Sequence, residues 1–509
     1  MTLKTSVVEA LKQVVGSANV LTEVEDLYVY SFEHIFREQR YLEVDAVVKV
    51  RSEEQSKKVM DLADKEGFNV IRRGGIDAQK VLEPARTGVV MVDDVPLPDL
   101  TAFKEVEKLI IAEDIREIHR AGHGTFRNFA LALKTLFLSK PTSRCQECAT
   151  CSGYCTVAPS FNSVETWSSK GRILLMKGLS MGELALSKRL IEVLYTCSTC
   201  GLCFAQCFPD LQVHEAIITT RRHIAGKGLT PEIFSTTAKN IIKTGDPGGM
   251  PIKQRLSWME EILRLRFPER AEVLYWVGCM VATRTPNVAK AVANILGQAK
   301  ANFTMLGERE GCCGYVLLAA GLWDEAKELA IGLLERVKET DAEVLVTPCA
   351  GCYYTFTMLY PRVLDMQMPC EVLHTSQFVE RLVKDGELEL KGLNVKVTYH
   401  DPCSLGRHGN VYDAPRNVLK AVPNLQLVEM PLSRSRARCC GGGGGLWTFN
   451  NRVSMNSAST RILNDVAPMN VDVLATACPA CHMNFRYTSV RKSVHIKTYD
   501  IMEIVAKAL

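Results

Sequence analysis

AEVLYWVGC (residues 271–279) and NVKVTYHDPC (394–403) each run a β-rich stretch into a cysteine, and each is followed later by a second such stretch, AEVLVTPCAGC (342–352) and VDVLATACPAC (471–481). Between the two members of each pair the apolar residues recur at helical spacing around a cysteine doublet, Cys312-Cys313 in one copy and Cys439-Cys440 in the other. From Cys279 to Cys312 there are 32 intervening residues, and from Cys403 to Cys439 there are 35. Strand, loop, helix, strand alternation predicts a small α/β unit with a mostly parallel sheet, present twice. Ligands in such sheets gather at the carboxyl ends of the strands. The doublet loop is therefore expected to fold over that edge and meet the first cysteine and the CxxC pair.

The second doublet lies in RCCGGGGGLW (438–447). A phosphate-binding loop would continue with Lys-Ser or Lys-Thr, and Leu446-Trp447 stands there instead. Five thiolates converging from three loops, Cys279, Cys312, Cys313, Cys349 and Cys352, or Cys403, Cys439, Cys440, Cys478 and Cys481, can hold an iron-sulfur assembly. Two adjacent cysteines cannot share one cubane corner, which points away from a plain cubane. Glycines let the backbone come close to an inorganic core and leave room for a substrate. A structural zinc on the CxxC pairs, or a vicinal redox disulfide, are the competing readings. Cys370, in MQMPC, belongs to neither copy and reads as a buried free thiol.

Eight further cysteines form two runs of one spacing: Cys145, Cys148, Cys151, Cys155, and Cys197, Cys200, Cys203, Cys207. A cubane offers one coordination site per iron, and three thiolates two residues apart fit a tight turn, the fourth reaching to the neighbouring cluster. The expectation is one [4Fe-4S] cluster on Cys145, Cys148, Cys151 and Cys207, and another on Cys197, Cys200, Cys203 and Cys155. Proline usually follows the fourth cysteine directly, whereas here it comes late, at Pro159 and Pro209. Zinc is the alternative, although it prefers paired ligands separated by a longer loop. The segment between the runs has helical periodicity, so this module is expected to be mostly α.

With 509 residues the chain has material for roughly three or four domains. Its 61 Lys and Arg against 57 Asp and Glu leave +4, too small a surplus for a nucleic-acid surface. MTLKTSVVEALKQVV at the start lacks the apolar core and cleavage site of a secretory signal, and no apolar run approaches a membrane span. A cytoplasmic protein is expected, held at a membrane only through a partner. Nineteen cysteines in a reducing compartment then point to metal or redox chemistry rather than disulfides.

Two ferredoxin runs followed by GCCGY (311–315) and CCGGG (439–443), with TPCAGC, HDPC and ACPAC, resemble the D-type subunit of heterodisulfide reductase and its relatives, the iron-sulfur subunits of glycolate oxidase, lactate utilisation and anaerobic glycerol-3-phosphate dehydrogenase. The resemblance covers about residues 131 to 509. It implies an α/β multidomain protein, with a helical two-cluster ferredoxin-like module at 131–245 and cysteine-rich CCG domains at 246–393 and 394–509. It also implies two cubanes and two noncubane four-iron clusters, one on each cysteine quintet, where a disulfide is reduced one electron at a time. One motif of the hydroxyacid-oxidase branch commonly lacks a cysteine; neither copy does here, which favours the reductase branch. The alternative is an electron-transfer subunit serving a glycolate or D-lactate flavoprotein dehydrogenase, or an electron-transferring flavoprotein, with electrons passing to quinone or a membrane cytochrome subunit.

His400 and Asp401, just ahead of Cys403, read as a helix cap and as hydrogen-bond partners of the cluster sulfurs, ahead of a proton-donor role for His400. Arg407 and His408 read either as an anion-receiving pair or as an exposed loop. Residues 16 to 75 resemble the opening of a flavin-linked 2-hydroxyacid oxidase, a strand, helix, strand pattern ending in Arg-Gly-Gly. The glycine-rich continuation is missing, so 1–130 is expected to be a truncated segment used for docking or packing, without FAD of its own.

Overall fold

A computed structural model describes residues 3–30, 43–68, 70–73, 87–93, 145, 150–207, 211–261, 267–494 and 496–509. The chain divides into two compact units, residues 1–153 with 164–190, and residues 154–163 with 191–509.

In the first unit, strands β1 (Val20–Leu21), β2 (Glu43–Val50), β3 (Val70–Arg73) and β4 (Thr87–Asp93) form a sheet of order β1-β2-β4-β3. β1 is antiparallel to β2 and the other pairings are parallel. Helix Glu53–Glu66 supplies the crossover from β2 to β3. Ser52 caps its start by accepting from the Gln55 backbone, and Gly67, at φ 72°, ends it. Helix Thr5–Val15 places Val7, Leu11 and Val15 against Val48, Val50 and Val59. The strand, helix, strand pattern of the oxidase-like segment is present over 43–73. The rest of its Arg-Gly-Gly turn, and the stretch that would close a flavin pocket, lie outside the described residues.

The second unit carries the repeat. β5 (Val273–Tyr275), β6 (Phe303–Thr304), β7 (Val344–Thr347) and β8 (Glu371–His374) form an all-parallel sheet of order β6-β5-β7-β8. β9 (Val395–His400), β10 (Leu425–Leu427), β11 (Val473–Thr476) and β12 (Lys497–Asp500) repeat it as β10-β9-β11-β12. Central strands of a covered parallel sheet are apolar on both faces. Leu274, Tyr275, Leu345 and Val346 are buried accordingly, as are Val397, Tyr399, Leu474 and Ala475. Helix Pro286–Gln298 of the first copy packs on Ile501–Lys507 of the second, and Thr375–Lys384 packs on Asp413–Ala421. One apolar core therefore runs through both copies, and it holds their sheet edges in a fixed relation.

Cys279, Cys349, Cys403 and Cys478 all follow the carboxyl ends of central strands β5, β7, β9 and β11. After the first CxxC the chain continues as a π-helical stretch, Thr355–Leu364, containing Pro361. A proline cannot donate to the ladder, so the wider winding accommodates it. From residue 150 to 245 the described residues form helices and no strand, which matches the helical character expected there. Among the described residues no helix is long and apolar enough to cross a membrane.

Leu474 in β11 is fully buried within the shared core. Leu474→Ala is expected to cost about 2–5 kcal/mol, read as a lower urea midpoint with the denaturant slope unchanged.

Candidate iron-sulfur site

Each quintet assembles at its strand ends, and the two assemble alike. Cys279 opens a short helix directly after Gly278, whose φ of 82° turns the chain off β5. A Cβ at Gly278 would stand 3.4 Å from Cys352 Sγ. Cys279 Sγ lies 3.7 Å from Cys312 Sγ. Cys312 further meets Cys313, Cys313 meets Cys352, and Cys352 meets Cys349. In the second copy Cys439 meets Cys403 and Cys440, Cys440 Sγ is 3.0 Å from Cys481 Sγ, and Cys481 meets Cys478. All ten thiols are buried, and none is in a disulfide.

The shared arrangement has a shared electrostatic consequence. The second thiol of each doublet, Cys313 or Cys440, is driven well below the usual cysteine range by hydrogen bonds from two neighbouring thiols. Cys312, Cys352 and Cys481 are pushed up by hydrogen bonds to neighbouring thiols and then by burial, and Cys439 is pushed up as well, its bond with Cys200 being outweighed by those with Cys403 and Cys440 and by burial. Such crowding is unfavourable for thiols alone and suits a multivalent cation or cluster.

The glycines supply the close approach that this packing needs. Gly441, at φ 80°, would place a Cβ 2.6 Å from Ser454 O, and Gly444, at φ 61°, would place one 2.3 Å from the Ser198 carbonyl. Backbone N–H groups of Gly441 and Gly442 donate to Cys439 and Cys440 Sγ at 3.2 and 3.3 Å, and that of Gly314 donates to Cys312 Sγ at 3.4 Å. Donors of this kind stabilise charge on cluster sulfurs. Five soft donors and amide N–H groups aimed at sulfur fit an iron-sulfur group better than a four-coordinate zinc.

All the thiols of both quintets except Cys439, with Tyr315, Gly443 and Trp447, line a single cavity of about 890 Å³, its open mouth included. Tyr315 crosses from the first copy to accept a hydrogen bond from the Gly444 backbone at 3.2 Å.

The ferredoxin-type runs are placed less completely. Cys145 and Cys151 belong to the first unit, and Cys155, Cys197, Cys200, Cys203 and Cys207 to the second; Cys148 lies outside the described residues. Cys197 and Cys207 accept backbone hydrogen bonds from Thr199 and Leu211. Cys200, half-buried, meets Cys439, whose hydrogen bond pushes its thiol well up. One thiol of the second run thus touches the second quintet.

Several neighbouring residues take other roles than expected. Asp401 neither caps a helix nor meets a sulfur; it forms a two-pronged ion pair with Arg416, at 2.7 and 2.9 Å, and accepts from the Arg434 backbone. Arg407 and His408 are not an exposed loop pair. Arg407 donates to the carbonyls of Cys200 and Ala437, at 2.8 and 2.7 Å, and faces Cys200, Cys403 and Cys439. His408 is stacked on Tyr354 and contacts the Thr199 carbonyl at 3.0 Å. Cys370 is half-buried rather than buried, with its thiol pushed up to about 11 by partial desolvation.

Two residues carry no motif and were not legible in advance. Glu310, two positions ahead of the first doublet, accepts from the backbone N–H groups of Val277 and Gly278 at 3.0 and 2.7 Å, fixing the turn into Cys279. Burial pushes its carboxyl up to about 7. Arg221 is fully buried and donates to the carbonyls of Leu194, Cys197, Ala319 and Gly444. It joins the second ferredoxin-type run, the first copy and the glycine loop of the second.

The cysteine-rich domain family named CCG matches residues 273–357 and 397–486, the two sheets and their thiol loops. The D-type subunit of the dihydromethanophenazine:CoB–CoM heterodisulfide reductase of Methanosarcina acetivorans is 34% identical over 320 residues, 62% of this chain and 77% of that protein. The chain belongs to the family of D-type heterodisulfide reductase subunits. The probable iron-sulfur-binding oxidoreductase FadF of Bacillus subtilis is 31% identical over 62% of this chain and 47% of its own length. The EtfAB:quinone oxidoreductase of Syntrophomonas wolfei is 29% identical over the same share of this chain and 47% of its own. As a member of the D-type family the chain is an iron-sulfur oxidoreductase subunit, built to work within a complex.

Arg221→Met would leave four buried carbonyls without this donor, on the order of 4 kcal/mol at about 1 kcal/mol each. The variant is expected to show a lowered urea midpoint, whereas a substitution at exposed Arg270 should leave it unchanged.

Proposed function

We propose that this subunit reduces a small disulfide, with electrons arriving through two [4Fe-4S] cubanes on the ferredoxin-type runs of 131–245. The ten cysteines of the CCG domains, at 246–393 and 394–509, would hold two noncubane four-iron clusters. The observation that carries this reading is the one cavity lined by every thiol of the first quintet and by Cys403, Cys440, Cys478 and Cys481 of the second. Bound there, the clusters would supply one electron each, for RSSR′ + 2 e⁻ + 2 H⁺ giving RSH + R′SH.

The chain's own part is to position and to seal. The shared core keeps the two quintets facing one space, so a bound disulfide can present one sulfur to each. Tyr315, Val316, Met280, Trp447 and Met483 give that space an apolar wall, which excludes water and favours burial of a thioether-like or thiol-bearing chain. The contact of Cys200 with Cys439 offers a short route from a cubane to the second quintet. Arg407, facing both, offsets the negative charge that reduction adds. The reduced thiol of each half-product would leave through the mouth of the cavity.

A second reading places the chain as a carrier between a flavoprotein and quinone, and is favoured by the similarity to an EtfAB:quinone oxidoreductase. It shares the clusters and differs in where electrons end. In either reading the oxidase-like residues 1–130 serve as a docking or packing segment, with a flavoprotein or a membrane cytochrome subunit as the partner.

Anaerobically purified protein is expected to hold about 16 irons, four per cluster, and to give a paramagnetic signal distinct from the cubane signals when titrated with a disulfide. Cys440→Ser should lose about four of those irons and the disulfide-dependent signal together. An iron content of about eight in the unmodified protein sinks the proposal.

A further inference from the structure

Positions that match between the two copies do not carry matching residues. Trp276 and His400 each stand three places ahead of the first cysteine. Two places after Cys313 and after Cys352 stand Tyr315 and Tyr354, where the second copy has Gly442 after Cys440 and Met483 after Cys481. The duplicated fold therefore does not require these two rings, and Met483 fills its place with apolar volume alone. Tyr315 lies against the first quintet. Its backbone N–H donates to Cys313, and a Cβ at Gly351, inside the CxxC turn, would stand 3.5 Å from its ring and 3.6 Å from Cys349 Sγ.

Tyr315 meets Tyr354 edge-on, with ring centres 6.1 Å apart. Tyr354 is in turn stacked on His408 of the second copy, at 4.7 Å and 23°. His408 ends the stack at the second ferredoxin-type run. A Cβ at Gly201, between Cys200 and Cys203, would stand 2.9 Å from its Cε1, and its Nε2 contacts the Thr199 carbonyl at 3.0 Å. Phe204, next to Cys203, reaches the same imidazole through His214, with successive ring centres 5.6 and 4.8 Å apart. A continuous file of rings thus joins the turn at residues 197–203 to the first CxxC pair, while Cys200 of that turn meets Cys439 of the second quintet.

We propose that this turn is a fork: electrons reach the second quintet through Cys200, and the first quintet through His408, Tyr354 and Tyr315. The inference rests on the clusters proposed above and says how each quintet is filled. Electron tunnelling falls off exponentially with distance, and more steeply across gaps than through matter in van der Waals contact, so a close-packed file of rings shortens the effective gap. The stoichiometry of the reaction also suits two branches. A flavoprotein donor oxidised twice by one electron sends one electron along each branch, and these two electrons with two protons break the S–S bond of RSSR′ to give RSH and R′SH. Neither quintet then has to be filled through the other while the substrate lies between them.

Full-length anaerobic holoprotein, mixed with flavodoxin hydroquinone and frozen at successive times, provides the test. This donor is a protein too large to enter the cavity. Paramagnetic resonance follows the two CCG-domain clusters, whose signals are assigned with Cys313→Ser and Cys440→Ser, each expected to lack one cluster. His408→Leu and Tyr354→Leu are expected to slow reduction of the first cluster severalfold and to leave the second unchanged, with iron content and midpoint potentials as in the unmodified protein. His408→Phe, which keeps a ring, should restore the rate. In Cys440→Ser the first cluster should still be reduced at its usual rate. Should the leucine variants lose iron, that last measurement still decides between a fork and a single file. The fork is overturned if both clusters slow together, if neither slows, or if the first stays oxidised in Cys440→Ser; the cluster proposal survives each of these. Unmodified protein that lacks the CCG-domain irons, or in which neither cluster is reduced, removes both.

Discussion

A buried guanidinium bonded to backbone carbonyls holds the second unit together. Arg221 directs five hydrogen bonds to the carbonyls of Leu194, Cys197, Ala319 and Gly444, and lies 4.9 Å from the Tyr195 ring centre. Burying a cation is costly unless its donors are met and negative charge lies near. Carbonyl oxygens meet the donors. Cys197 contributes one of those carbonyls, Gly444 belongs to the loop that carries Cys439 and Cys440, and the Tyr195 ring lies beside the guanidinium. The cation thus joins three segments whose sulfurs would otherwise have no reason to keep a fixed spacing.

The shared apolar core does the same at larger scale. Two open parallel sheets, each with a covered face, could have formed separate domains joined by a linker. Helices Pro286–Gln298 and Ile501–Lys507 instead pack across the copies, and the carboxyl edges of both sheets meet around one cavity. An electron carrier needs clusters in line. The proposed two-electron reaction on one bond would gain from two one-electron centres facing the same substrate, and a common cavity would allow that arrangement.

Within this symmetry the surroundings of the two quintets have diverged. Glu310 braces the turn into Cys279 through backbone N–H groups, while the second copy has Ala437 at the corresponding place and uses the Asp401–Arg416 pair to fix its first loop. Trp276 and His400 fill one position with different chemistry. Duplication supplied equivalent thiols, and the substitutions around them give each site its own charge and polarity.

Covalent spacing made the thiols readable from the sequence. CxxC, an adjacent doublet and a strand ending in cysteine impose short-range geometry, and their double occurrence with matched gaps announced both the parallel sheets and the quintets. The helical character of the segment after residue 150 followed from periodicity for the same local reason. Contacts between segments far apart in the chain carry no such mark. The burial of Arg221, the approach of Cys200 to Cys439, the turning of Asp401 toward Arg416 and the half-burial of Cys370 depend on which surfaces the core brings together. Spacing determines which sulfurs can share a site; only packing across hundreds of residues decides that two sites share one space.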